Sequence, residues 1–81
     1  MKTVLVLGTG YSKCKVLEQR LLALKQEHGL EFDLAKVTDL ESILSHGIMM
    51  TPGLVIDGKV RSVGTVPRDA QLIQWLKEDL Q

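Results

Sequence analysis

The feature that most constrains this chain is the junction Gly8-Thr9-Gly10-Tyr11-Ser12-Lys13-Cys14. There a short apolar run, Thr3 to Leu7, gives way to a helical pattern. An apolar run without alternation predicts a strand buried on both faces of a partly parallel sheet. The glycines predict a tight turn from strand to helix, where other backbone or a ligand can come close. The first helical turn then aims its free N–H groups at whatever docks there. Cys14, the only cysteine in the sequence, lies inside this junction and makes it the candidate site.

The rest of the chain follows from period and punctuation. Cys14, Leu17, Leu21 and Leu24 recur at helical spacing, which predicts a helix from about Ser12 to His28, stopped by Gly29. Leu30 to Val37 alternates apolar and polar residues, the pattern of a half-buried strand. Thr38-Asp39-Leu40-Glu41 has the form of a capping box, with Thr38 as the cap. The short helix it opens is expected to turn Leu40, Ile43 and Leu44 inward and to end at Gly47. Leu54-Val55-Ile56, Asp57-Gly58 and Lys59 to Val63 read as a hairpin, because Asp-Gly supplies the positive φ angles of a two-residue turn. A last helix begins between Pro67 and Asp69 and carries Leu72, Ile73, Leu76 and Leu80 on one face. The order is β-α-β-α-β-β-α. A right-handed parallel crossover followed by a hairpin gives an α/β fold with a four-stranded mixed sheet and helices on both faces.

Length and charge bound the function. Eighty-one residues suffice for a single domain, spanning 1–81, with one core, and an apolar content of 44% fills it. Ten basic and ten acidic residues balance, so no broad basic face is expected for nucleic acid. No apolar run reaches the length of a membrane span or of a signal-peptide core, so the expected compartment is the cytoplasm. One cysteine cannot form an internal disulfide, and with the scattered His28 and His46 it makes no metal site. Gly8-x-Gly10 with Asp33 downstream lacks the third glycine of a dinucleotide fingerprint, since Lys13 stands there.

With these elements in order, the chain resembles the thioredoxin-like superfamily, and within it the small thioredoxin and glutaredoxin-like redox-active disulfide proteins. Two motifs carry the resemblance. The first is Gly8-Thr9-Gly10-Tyr11-Ser12-Lys13-Cys14, where the family has Gly-Thr-Gly-Cys-x-x-Cys. The second is Thr51-Pro52-Gly53-Leu54, before Val55-Ile56-Asp57-Gly58. The resemblance implies that Tyr11 occupies the place of the attacking cysteine and Cys14 that of the resolving one. A phenol cannot take over sulfur chemistry. It further implies a cis Thr51-Pro52 bond packed against the Gly8–Cys14 turn, with Thr51 free to pair with an extended peptide.

Several residues have more than one reading on the sequence alone. Cys14 is either a small buried apolar residue facing Leu17 and the sheet, or a thiolate held at a helix start beside Lys13 and Lys15. Pro52 is either a plain loop proline before a strand or the cis proline of the family. Met49 and Met50 are either core filling or a soft apolar rim for a bound peptide. Trp75 is expected to pack the last helix onto the sheet, and Tyr11 to stack on a ligand or cover the site.

The expected function is thiol-disulfide exchange by a monothiol route through Cys14. Tyr11, Lys13, Thr51 and Pro52 would contact the substrate, and Gly8 and Gly10 would shape the turn. Partners would be a protein thiol or disulfide, or glutathione, with no cofactor, nucleic acid or membrane. The alternative is a redox-inactive adaptor that binds an extended peptide at the Thr51-Pro52 edge.

Overall fold

The computed structural model describes residues 2–8 and 13–78. Its elements run β1 (Lys2–Leu7), α1 (Lys13–His28), β2 (Phe32–Val37), α2 (Leu40–Ser45), β3 (Gly53–Ile56), β4 (Lys59–Val63) and α3 (Asp69–Lys77). The strands form one mixed sheet in the order β2-β1-β3-β4. β1 lies parallel to β2, with Val4 opposite Leu34, and antiparallel to β3, with Val6 opposite Leu54.

Alternation along β1 divides the core between the two faces. Val4 and Val6 point toward α1 and α3, where they meet Leu17, Leu21, Leu24, Phe32, Leu54, Ile56, Leu72 and Leu76. Leu7 points the other way, into a smaller cluster with Ile43, Ile48 and Val55, against which Leu5 packs. Every apolar residue of the predicted α1 stripe is buried, Cys14 included. On α3, Leu72 and Leu76 are buried and Ile73 packs at the core's margin, while Leu80 lies outside the described residues. Trp75 packs against the same cluster, and the Arg61 guanidinium lies 6.0 Å from its ring centre.

The hairpin turn is built as its residues require. Asp57 and Gly58 both have positive φ, 50° and 84°. Asp57 is also pinned to β1: its N–H donates to the Thr3 carbonyl and its Oδ1 accepts from the Thr3 N–H, both at 2.8 Å. Between Leu54 and Val55 the register slips, so that Ser62 faces Leu54 while Val60 faces Val55. The extra residue, Arg61, is a β-bulge, and its side chain forms an ion pair with Glu78.

Helix α2 corrects the sequence reading in two respects. Its cap is Asp39, not Thr38: the Asp39 carboxylate accepts from the Ser42 N–H at 3.0 Å and from the Ser42 hydroxyl at 3.1 Å. Pairing of β1 with β2 continues to Val37, which leaves Thr38 as the link between strand and cap. Only Ile43 turns inward, with Leu40 65% and Leu44 50% exposed. Six residues make fewer than two turns, so the helix meets the sheet along a single row. Ile48, beyond the helix, supplies the next inward side chain, and its Cδ1 fills the space a side chain on Gly53 would need. We expect Asp39→Ala to cost about 1 kcal/mol in urea unfolding, the usual loss for such a cap. Thr38→Ala should leave the midpoint nearly unchanged, and equal losses would return the cap to Thr38.

Candidate functional site

The site is assembled at one end of the sheet by strand register. Leu7, the last residue of β1, pairs with Gly53, the first of β3. Gly8 therefore follows β1 on one side while Thr51 and Pro52 lead into β3 on the other. Gly8 stays tied to the sheet, its N–H donating to the Val37 carbonyl at 2.9 Å. Helix α1 begins above this edge and sets Cys14 one turn before Leu17, which is fully buried.

Sγ of Cys14 lies directly over Gly8, in the position a side chain on that glycine would occupy. Thr51 borders the same space, its Cβ 3.4 Å from where a Gly8 methyl would stand. The thiol is nearly enclosed, with Cys14 only 6% exposed. Cys14, Gly8 and Thr51 are thus brought together, and Pro52 adjoins them. Pro52 is buried, Thr51 is exposed, and the peptide bond between them is cis. Lys13 is exposed at the start of α1. Gly10 and Tyr11 lie outside the described residues.

The loop before Pro52 presents apolar surface. Met49 is 88% and Met50 64% exposed, so neither fills the core. The Met50 side chain lies against Gly64, which has φ +78° and donates its N–H to the Pro52 carbonyl at 2.8 Å. The sequence reading does not single out Gly64 as a neighbour of the site. A glycine closing β4 at the same sheet end as Thr51-Pro52 is the signal that could have found it. Among the described residues, a groove of 360 Å³ also runs beside α3, lined by Pro67, Arg68, Ala70, Gln71 and Gln74. It includes none of the predicted site residues. No cluster of metal-ligating side chains occurs among the described residues, and no helix there is long and apolar enough to cross a membrane.

A thiol at the start of the helix after β1, facing a proline-bearing loop before β3, is an arrangement suited to sulfur exchange with a partner docked at the loop. Among known families, the thioredoxin domain family matches residues 2–77. The chain belongs to the thioredoxin domain family. A thioredoxin of Methanothermobacter thermautotrophicus is 30% identical over 66 residues, covering 82% of this chain and 86% of that protein. A thioredoxin of Methanocaldococcus jannaschii is 27% identical over 81 residues, covering all of this chain and 93% of its own. The mixed sheet with α1 and α3 on one face and α2 on the other is a thioredoxin-like fold.

Proposed function

We propose that this thioredoxin-like protein carries out thiol-disulfide exchange by a monothiol route through Cys14, with Tyr11 in the place of the attacking cysteine. The observation that carries the reading is the position of the chain's only thiol, over Gly8 and beside Thr51 and the cis Pro52 loop, in a thioredoxin-family domain. The names of the relatives support thiol-disulfide chemistry of the same kind.

In the forward step the Cys14 thiolate attacks one sulfur of a partner disulfide. That S–S bond breaks, a Cys14–partner disulfide forms, and the leaving thiolate takes up a proton. A second thiolate, from glutathione or a protein thiol, then attacks the mixed disulfide and releases Cys14 as thiolate. The protein ends as it began, and the external thiol has been exchanged into the disulfide. Lys13 offers positive charge near the helix start, while Thr51, Pro52 and the methionines before them hold the partner. With Cys14 nearly enclosed, small disulfides should react faster than bulky ones.

The test is incubation with glutathione disulfide, read by intact mass. The wild type should gain one glutathionyl group and Cys14→Ser none. Insulin reduction should be absent with thioredoxin reductase alone and should appear only with added glutathione, through Cys14. Activity unchanged in Cys14→Ser would sink the proposal. A wild type that forms no mixed disulfide, yet binds extended peptides at Thr51-Pro52, would establish the adaptor instead.

A further inference from the structure

Backbone conformation does not explain why residue 8 is glycine. Its φ lies outside the left-handed range, unlike those of Gly29, Gly47, Gly58 and Gly64, so an L side chain would meet no strain there. Space explains it. A methyl group on Gly8 would stand far inside contact distance of Sγ of Cys14, while its next neighbours, Cβ of Cys14 and Cβ of Thr51, would both stand at 3.4 Å, an acceptable contact. Among the described residues, it is therefore the sulfur that bars a side chain at position 8. The backbone of neither partner can easily retreat. Gly8 is held by its hydrogen bond to Val37, and Cys14 by the packing of Leu17 and Leu21, both fully buried.

We infer that Gly8 is a positioning residue for Cys14: its bare Cα is a seat that holds the sulfur beside Thr51 and governs how readily the thiol is presented to a partner. The part concerning presentation rests on the exchange reading above. The seat itself does not. Rotation about the Cα–Cβ bond of Cys14 is the motion that would lift the sulfur from the seat toward solvent. A methyl group at position 8 would force that rotation, or a comparable shift, in the resting protein.

The experiment is a cycle of Gly8→Ala, Cys14→Ala and the double variant, read by Tm and by alkylation of Cys14 with iodoacetamide well below Tm. Gly8→Ala should lower Tm in the parent. In the Cys14→Ala background it should leave Tm equal or higher, because the new methyl takes the space the sulfur vacated. Alkylation of Gly8→Ala should be several-fold faster than of the parent. It should also exceed that of Leu72→Ala, which is destabilised in the core away from the thiol and measures the contribution of unfolding. Should Gly8→Ala alone fail to fold, a folded double variant demonstrates the seat and an unfolded one refutes it. An equal loss of Tm in both backgrounds, or alkylation no faster than in Leu72→Ala, overturns the inference. Absence of a glutathione adduct on the wild type would remove the exchange reading and leave the Tm cycle intact.

Discussion

Tyr11→Cys is expected to turn a protein that needs external thiol at each turnover into one that resolves its own mixed disulfide. The substitution creates Cys-x-x-Cys with Cys14, the spacing at which the family closes a disulfide across the start of its first helix. Helix α1 is long, Lys13–His28, and no acidic side chain lies in its first turn to offset the positive end of its dipole. A cysteine introduced just before it should hold more thiolate at neutral pH than a free cysteine, whose pKa is about 8.5. It would attack a partner disulfide, and Cys14 would then attack the mixed disulfide from within, releasing the reduced partner and leaving an internal disulfide. Mild oxidant should therefore remove both thiols without forming dimers. Insulin reduction should appear with a dithiol reductant or reductase and no glutathione. Both gains should vanish in the Tyr11→Cys, Cys14→Ser double variant. A Tyr11→Cys protein that folds but keeps two free thiols would mean that the turn has left the redox geometry, and would favour the adaptor.

The largest loss of stability is expected from Phe32→Ala. Phe32 opens β2, is fully buried, and is the bulkiest side chain in the core between the sheet and the α1–α3 layer. Its ring also lies 5.2 Å below the Lys25 ammonium, which donates a hydrogen bond of 2.6 Å to the Phe32 carbonyl. Removing a ring from such a site costs about 3–5 kcal/mol, the sum of lost transfer energy and an unfilled cavity. A chain of this length has roughly 4–12 kcal/mol in total, at about 0.05–0.15 kcal/mol per residue. The urea midpoint should therefore fall by roughly 3–5 M, taking a slope near 1 kcal/mol per molar for a small domain. Phe32→Leu should recover most of the loss. A cost under about 1 kcal/mol would show that the layer collapses around the gap, contrary to the spread known for buried positions.

The sequence by itself determined the elements and their connectivity, because both rest on local rules. The unbroken run from Thr3 to Leu7, the leucine stripe from Leu17 to Leu24 and the Asp57-Gly58 turn each satisfy one periodicity or one backbone requirement, and each formed as read. Parallel pairing of β1 with β2 followed from the crossover helix between them. The motif that carries Cys14 was legible for the same reason, as a glycine-bearing step from strand to helix. What needed the tertiary structure was everything set by neighbours distant in the chain. The helix start at Asp39 depends on how far β2 keeps pairing with β1. Exposure of Leu40 and Leu44 depends on how little of a six-residue helix reaches the sheet. The bulge at Arg61 depends on the register between β3 and β4. The seat of the thiol depends on α1 lowering Cys14 onto Gly8 while the β1–β3 register brings Thr51 alongside. Periodicity reports which side of an element is apolar. Which atom fills the space left by a missing side chain is decided only when three segments, separated by up to 43 positions between Gly8 and Thr51, are packed together.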